Sequence, residues 1–248
     1  MYGDFAEVYD SFQEDIPYAE WLEHVTELLS KYEIKDGLVL ELGCGTGTFT
    51  EMLSEAGYDM IGVDNSEEML QRAMEKRTQT GSDILYLLQD MREFELYGTV
   101  RAVVSVCDSM NYITEEEDLE EVFALVNNYL DPGGIFLFDL KTACYYREVM
   151  GNGTFAENRE TGSYIWENAW YEDEQINEYD LTLFLRQEDG SYRKSEETHL
   201  QRAYDTARIA ELIRSSGMEY LGCLDAESLE EADETSERVY ILARECTK

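Results

Sequence analysis

Apolar runs alternate with helical stripes along most of the chain, and the pattern is clearest between residues 38 and 64. Residues 38–42 are almost wholly apolar, which is typical of a parallel strand buried on both faces. A turn with three glycines follows, then an amphipathic segment at 48–54 and a second apolar run at 60–63. This order predicts a strand, a turn, a helix and a second strand, a βαβ unit.

The same alternation continues to the end of the chain, with one interruption. Further helices are predicted at 18–32, 65–77, 118–130 and 205–215, and further strands at 84–88, 102–106, 135–138, 218–224 and 238–244. Between about 145 and 204 the pattern changes to β-prone runs at 164–170, 181–185 and 192–200. Asp189-Gly190 is a hairpin signal between the last two runs, so an antiparallel sheet is predicted here.

The glycine turn and the acid after the second strand mark a candidate ligand site. Gly43, Gly45 and Gly47 can adopt the positive φ and close backbone approach that a ligand cradle requires. The N-terminus of the next helix directs free N–H groups at the same turn. Asp64 comes about 20 residues after the first glycine, an offset at which an acid accepts hydrogen bonds from a ribose. The stretch is therefore predicted to bind a nucleoside.

Two nucleoside cofactors compete for such a unit. A dinucleotide site requires Gly or Ala where this chain has Thr48, and the third glycine comes one residue earlier, at Gly47. The heptapeptide 41–47, Glu-Leu-Gly-Cys-Gly-Thr-Gly, resembles the first motif of class I S-adenosylmethionine-dependent methyltransferases. In that family the acid before the glycines, here Glu41, lies near the ammonium group of the methionine moiety.

The resemblance implies S-adenosylmethionine as cofactor and a set of contacts to it. Asp64 is expected to bind the ribose and Asp90 the adenine, with Met91 against the ring, while Tyr9 belongs to a segment that folds over the cofactor in the family. The residues expected to bind the cofactor are Tyr9, Glu41, Gly43, Cys44, Gly45, Gly47, Asp64, Asn65, Asp90, Met91, Cys107 and Asp108.

The resemblance also implies the architecture. The expected fold is α/β, a Rossmann-like, doubly wound, seven-stranded sheet whose last strand is antiparallel and lies between the fifth and sixth. Residues 1–145 and 205–248 are expected to form the cofactor-binding core. Residues 146–204 are expected to form an inserted antiparallel β lid, at a place where the family often has an element that covers the substrate.

Polar residues follow the fourth predicted strand and are candidates for acceptor chemistry. In open α/β sheets ligands lie outside the carboxyl ends of the strands, so Asp108, Asn111 and Tyr112 are the catalytic candidates. Asp108, His199 or a tyrosine could act as general base, and the sequence favours none of them.

Aromatic residues are the candidates for acceptor binding, because they can stack on a flat molecule or hold a cation. They are Tyr18, Trp21, Tyr112, Trp166 and Trp170. The alternative for the tryptophans is packing of the inserted sheet against the core or against a second subunit, so the chain is expected to be a monomer or a homodimer.

The amino-acid composition limits the kinds of partner that the chain is expected to bind. Lys and Arg number 19 against 55 Asp and Glu, a formal net charge of −36, which opposes binding to nucleic acid and to anionic membranes. The five cysteines are widely spaced and only two histidines occur, so neither a disulfide framework nor a metal site is expected. Without a long apolar run or a leader-like N-terminal pattern, a cytoplasmic protein is expected.

The predicted function is methyl transfer from S-adenosylmethionine to a small molecule. The acids and aromatics suggest an amine or another cationic acceptor as a refinement. Two alternatives stay open: a cofactor-binding regulator or scaffold without turnover, and a protein methyltransferase whose partner carries a basic tail.

Overall fold

The computed structural model describes Ala6, residues 9–12 and residues 16–248. The strands of this part are β1 (Gly37–Leu42), β2 (Tyr58–Asp64), β3 (Leu85–Leu88), β4 (Val100–Ser105), β5 (Leu130–Lys141), β6 (Thr154–Asn158), β7 (Gly162–Tyr171), β8 (Ile176–Arg186), β9 (Tyr192–Arg202), β10 (Met218–Asp225) and β11 (Arg238–Glu245). The α-helices are α1 (Tyr9–Phe12), α2 (Tyr18–Lys31), α3 (Thr48–Glu55), α4 (Glu67–Thr80), α5 (Glu116–Tyr129) and α6 (Thr206–Ser215).

The central strands are mostly apolar because helices cover both faces of the sheet. In β5, Phe136 and Phe138 pack into one core with residues of α5 and α6. Their neighbours Ile135 and Leu137 point to the other face and pack with residues of α2 and α3. Successive side chains of a strand point to opposite faces, so a strand between two cores has no polar face. The continuous apolar runs of the sequence are thereby explained.

The main sheet has seven strands in the order β10-β11-β5-β4-β1-β2-β3. The strands β1 to β5 run parallel to one another, whereas β11 is antiparallel to both of its neighbours, β5 and β10. This confirms the predicted fold class, including the position of the last strand. The strand order reverses between β1 and β4, so their carboxyl ends open a crevice of the kind that binds ligands in open α/β sheets.

A second sheet follows β5, with four antiparallel strands in the order β6-β7-β8-β9, and is called here the inserted sheet. The three strands predicted in this region are present and longer than expected. Strand β6 and the π-helical turn Tyr145–Met150 were not predicted. The sequence of β6, Thr-Phe-Ala-Glu-Asn, is short and largely exposed, and it pairs along one edge only, so it carries little strand periodicity.

The inserted sheet is joined to the main sheet through the 3₁₀ turn Ser109–Tyr112, which follows β4. The side-chain amide of Asn111 donates to the carbonyls of Lys141 and Arg202, at 3.0 and 2.8 Å. Its oxygen accepts from the Lys141 N–H at 3.0 Å. One buried amide thus fixes the end of β9 to the end of β5. None of the helices in the described part is long and apolar enough to cross a bilayer.

Gly47 is required by packing as well as by conformation, and we expect Gly47→Ala to show this. Its φ is +75°, and a Cβ there would overlap the Tyr86 hydroxyl and lie 2.9 Å from the Ala73 Cβ. Gly81 has the same conformation, φ +74°, with no described heavy atom within 4 Å of a Cβ. Alanine should cost about 1–2 kcal/mol of stability at either position and about 1–3 kcal/mol more at Gly47. Urea unfolding of both variants measures the difference, and equal losses would contradict the packing argument.

Candidate functional site

A cavity of about 700 Å³ opens at the carboxyl edge of the main sheet and extends beneath the inserted sheet. Its glycine half is lined by Glu41, Gly43, Cys44, Gly45, Asp64, Asn65, Asp90 and Met91. Its aromatic half is lined by Tyr18, Trp21, Cys107, Asp108, Tyr112, Lys141, Tyr145, Tyr164, Trp166, Tyr179 and Arg238. The two halves form one continuous space, within the size range of small-molecule sites.

Asp64 and Gly45 build the centre of the glycine half. The Gly45 N–H donates to one Asp64 carboxylate oxygen at 2.8 Å, and the Ser66 N–H donates to the other at 2.8 Å. Burial raises the pKa of Asp64, and these N–H groups partly offset the effect. A Cβ at Gly45, where φ is +54°, would meet no described heavy atom within 4 Å. The backbone of the turn therefore borders open cavity beside a carboxylate with unused lone pairs.

Glu41 is a buried carboxyl group at the floor of this half, 2% exposed. The Thr50 hydroxyl donates to it at 2.5 Å. Burial raises the pKa of Glu41 from 4.5 to about 8; the hydrogen bond from Thr50 opposes the rise and the charge of Asp64 adds to it. Glu41 is therefore largely protonated at neutral pH, and a cation placed against it would favour its ionised form.

Asp90 lies at the rim, after β3. The Arg92 guanidinium donates to both of its carboxylate oxygens, at 2.9 and 2.7 Å, and also pairs with Asp118 at 2.9 Å. The Arg92 hydrogen bonds hold the pKa of Asp90 below its usual range. Asp90 is thus an ionised carboxylate already bound to a cation. Few of its lone pairs are left to accept a hydrogen bond from a ligand.

The short helix α1 covers the glycine turn. Asp10 accepts a hydrogen bond from the Thr46 hydroxyl at 2.6 Å and pairs with Lys76 at 2.7 Å. Lys76 in turn donates to the hydroxyls of Thr46 and Thr48, at 3.0 and 2.5 Å. These contacts fix α1, and with it Tyr9, at the edge of the cavity.

Asp108 is the central charge of the aromatic half. It follows β4 in a turn where Cys107 and Asp108 have φ of 65° and 54°, a left-handed pair that is uncommon outside glycine. Its carboxylate pairs with Arg238 at 2.8 Å and with Lys141 at 3.2 Å. It also accepts from the Gln201 amide at 2.7 Å. Burial alone would raise the pKa of Asp108, but the charges of Lys141 and Arg238 outweigh it and hold that pKa below its usual range.

This arrangement makes Asp108 a poor general base, because its conjugate acid is strong and its oxygens are already bonded. Its geometry suits a different task. The carboxylate joins the ends of β4, β5 and β11 to Gln201 of the inserted sheet, and Arg238 carries the connection on to Asp139 of β5.

Aromatic rings form the walls of this half. Tyr18 and Trp21 meet edge to face with centroids 5.7 Å apart, and the Arg238 guanidinium lies 4.8 Å from the Trp21 ring. Across the cavity the Trp166 and Tyr179 rings are 4.3 Å apart. The Tyr179 hydroxyl forms a hydrogen bond with the Tyr112 hydroxyl. The walls are thus flat and apolar, with hydroxyls at a few positions.

Comparison with known proteins identifies the family. A family model described as a methyltransferase domain matches residues 39–134. A protein of Bacillus subtilis (strain 168) that is named as a methyltransferase, YqeM, is 36% identical over 220 residues. The match covers 88% of this chain and 87% of that protein. The chain belongs to the S-adenosylmethionine-dependent methyltransferases. The crystal structure of a member from Clostridium acetobutylicum ATCC 824 superposes with a TM-score of 0.87 at 28% identity, covering 98% of both chains.

A further similar protein has a named substrate. The dTDP-3-amino-3,4,6-trideoxy-alpha-D-glucopyranose N,N-dimethyltransferase of Streptomyces venezuelae is 30% identical over 138 residues, 55% of this chain and 56% of that protein. The predicted class of methyltransferase is confirmed by these comparisons, and the acceptor of this chain is unidentified.

Most of the candidate site residues predicted from the sequence line this cavity. They are Tyr9, Tyr18, Trp21, Glu41, Gly43, Cys44, Gly45, Asp64, Asn65, Asp90, Met91, Cys107, Asp108, Tyr112 and Trp166. Four candidate residues are not among the described lining residues: Gly47, Asn111, Trp170 and His199, which is buried inside the inserted sheet. Gly47 packs against Tyr86 and Ala73 behind the turn, and Asn111 bonds to backbone between the sheets. Trp170 stacks on Tyr146 at 5.5 Å and donates to Glu172 at 2.6 Å.

Several polar residues of the site were not nominated as site residues from the sequence: Arg238, Gln201, Tyr179 and Glu197. Arg238 opens β11, and because β11 is antiparallel, its first residue lies beside the carboxyl ends of the other strands. The predicted strand order, with its antiparallel last strand, already implied this position for Arg238. Glu197, His199 and Gln201 occupy alternate positions of β9, so they share one face, but the sequence does not show that this face is buried.

The pKa of Glu41 predicts a pH-dependent loss of stability. The folded protein holds a proton that the unfolded chain releases above about 4.5, so the free energy of unfolding should fall as pH rises from about 5 to 8. In Glu41→Gln this fall should be absent. The gap between variant and wild type should widen by up to ~1.4 kcal/mol per pH unit in this window. Urea unfolding at several pH values measures it, with the exposed Glu27→Gln as control; a constant gap would refute the raised pKa.

Asp108→Asn should be strongly destabilising because it removes a buried carboxylate from two half-buried cations, Lys141 and Arg238. Removing one partner of such a pair costs about 3–5 kcal/mol. Asp36→Asn is the matched control, since Asp36 also pairs with an arginine, Arg101, but is 77% exposed, and its loss should stay below about 1 kcal/mol. Thermal and urea unfolding of both variants provide the test. A loss of stability for Asp108→Asn no larger than for the control would show that the contacts of Asp108 do not hold the sheets together.

Proposed function

We propose that the chain binds S-adenosylmethionine in the glycine half of the cavity and methylates a small molecule held in the aromatic half. The observation that carries the proposal is the pairing of Gly45 and Asp64. The backbone at Gly45 borders the open cavity directly beside the half-buried Asp64 carboxylate, which still has lone pairs to offer. That geometry fits a ribose whose two hydroxyls donate to one acid.

Other residues of the glycine half fit the remaining parts of the cofactor. Glu41 would meet the ammonium group, and the exchange of its proton for a cation balances the buried charge. Met91 and Asn65 would contact the adenosine, with Asp90 at its rim. These assignments extend the family resemblance residue by residue.

The cofactor supplies an activated methyl group on a positively charged sulfur. The chain's own contribution is to hold the acceptor atom in line and to keep water out, and positioning of this kind can lower a barrier by about 7–11 kcal/mol. Tyr18, Trp21 and Trp166 provide flat apolar walls for this purpose. Lys141 and Arg238, neutralised by Asp108 and Asp139, orient the acceptor through shared hydrogen bonds without adding net charge.

A small acceptor is favoured because the inserted sheet covers the aromatic half. Residues of β7, β8 and β9 line the cavity from that side, which leaves little room for a polypeptide. The similarity to a methyltransferase named for an amino-sugar nucleotide supports the same class. The acidic composition of the chain does not extend to this half, where Lys141 and Arg238 are the cations facing the cavity among its described lining residues.

The experiment combines binding with turnover. Calorimetric titration should show saturable binding of S-adenosylhomocysteine and none of NAD. Asp64→Asn should weaken S-adenosylhomocysteine binding about 10–100-fold, because it replaces charge-assisted hydrogen bonds. Asp83→Asn, an exposed acid near β3, should not change it.

Incubation with methyl-labelled S-adenosylmethionine and metabolite extracts should then yield labelled small products. Equal affinity of Asp64→Asn and wild type, or tight binding of NAD alone, would overturn the cofactor assignment. Saturable cofactor binding with label recovered only in protein would overturn the acceptor class.

A further inference from the structure

A chain of polar side chains leads from the aromatic half into the interior of the inserted sheet. Tyr112 and Tyr179 line the cavity and share a hydrogen bond between their hydroxyls. His199 is 0% exposed, with Nδ1 3.5 Å from the Tyr112 oxygen. Its Nε2 lies 3.4 Å from the Glu197 carboxylate. These four residues are called here the tyrosine–histidine chain.

The strand register places these groups together. Tyr179 of β8 is paired directly with His199 of β9, and their rings stack 4.8 Å apart at an angle of 14°. The Tyr112 ring meets the His199 ring at 5.9 Å and 76°. Glu197 lies two residues before His199 and so on the same face of the strand. The imidazole is held on two sides by aromatic rings, which fixes its orientation toward both partners.

The order of donors follows from the carboxylate. A carboxylate beside Nε2 favours the tautomer with its proton on that nitrogen, which leaves Nδ1 as an acceptor. Tyr112 then donates to Nδ1 and accepts from Tyr179. The Tyr179 oxygen is left with lone pairs at the cavity wall. Each proton in this arrangement can shift one step away from the cavity and toward the imidazole.

We propose that the tyrosine–histidine chain takes up the proton that the acceptor loses on methylation, so that the methylated atom is a protonated nucleophile such as an amine nitrogen or a hydroxyl oxygen. This rests on the function proposed above. The methyl–sulfur bond breaks with its electron pair staying on sulfur, and a lone pair of the acceptor forms the new bond to carbon. The acceptor's proton passes to the Tyr179 oxygen, the Tyr179 proton to Tyr112, and the Tyr112 proton to His199.

The charges around the chain favour this end state. The imidazolium that forms lies against the Glu197 carboxylate, so no new buried charge is left uncompensated. Among the described residues, the ionisable groups seen to face His199 are Tyr112 from the 3₁₀ turn, Tyr179 from β8 and Glu197 from its own strand. Burial raises the pKa of Tyr179, and Tyr112 and the charge of Asp108 raise it further, so Tyr179 stays neutral between proton transfers. Asp108 is itself held ionised by Lys141 and Arg238. Tyr112 and Tyr179 touch the acceptor, whereas His199 and Glu197 act through them.

Nitrogen NMR of the histidines tests the geometry without any acceptor. The sequence has two histidines, His24 and His199, so His24→Gln assigns both spectra. We expect His199 in the Nε2–H tautomer, and we expect Tyr112→Phe to shift its Nδ1 resonance because the donor is lost. Tyr192→Phe, an exposed position on the same strand, is the control and should leave the resonance in place. An Nδ1–H tautomer, or an Nδ1 resonance that Tyr112→Phe leaves unchanged, would overturn the proposal.

Kinetics test the role in turnover with the labelled products of the extract screen. His199→Phe keeps an aromatic ring in the stack but no nitrogen, and Tyr112→Phe breaks the chain if the first variant fails to fold. Both should bind S-adenosylhomocysteine within about twofold of wild type while methyl transfer falls about 10²–10⁴-fold. The pH profile of the rate should differ between wild type and His199→Phe.

The outcomes separate the two proposals. A wild type that does not bind S-adenosylhomocysteine overturns the proposed function. Normal binding, with His199→Phe retaining the wild-type rate and pH profile, overturns the tyrosine–histidine chain alone.

Discussion

The buried carboxylate of Asp108 is the interaction on which the two sheets and the cavity between them depend. It receives Lys141 from β5, Arg238 from β11 and Gln201 from β9. Buried charges are stable only when they are paired and their remaining hydrogen bonds are made. Each of the strands must therefore end where this carboxylate can reach it. The constraint sets both the position of the inserted sheet and the depth of the aromatic half.

The site uses buried acids in opposite states, and the surroundings decide which state each adopts. Glu41 has a hydroxyl as its hydrogen-bond donor, so burial dominates and its pKa rises to about 8. Asp108 is equally enclosed but faces two cations, and its pKa falls. A group that can exchange a proton for a cation suits a cofactor that comes and goes. A group that stays ionised suits a permanent junction. In the sequence both residues are acids near strand ends, and nothing there distinguishes their protonation states.

The core fold could be predicted because its signals are local. Apolar runs, glycine turns and caps such as Ser66 and Asp205 mark each strand and helix within a few residues. The lining of the glycine half was predictable for the same reason, since Glu41, the glycines and Asp64 lie within one βαβ unit. The inserted sheet gave weaker signals. Which face of each strand is buried depends on pairing across distant segments. For this reason the sequence does not distinguish Trp170, which packs on Tyr146, from Tyr179, which lines the cavity.

The two sheets contribute different parts of the site. The contacts proposed for the cofactor come from turns of the main sheet, whose geometry the βαβ unit fixes locally. Groups that would meet the acceptor come in large part from β7, β8 and β9, and the 3₁₀ turn after β4 binds the two regions through Asn111. A sheet that covers the cavity can exclude water only while it is docked. His199 is buried in that same sheet, so in the proposed mechanism the proton acceptor is in reach of Tyr112 only when the cavity is closed. Closure and proton removal would then depend on a single docking event.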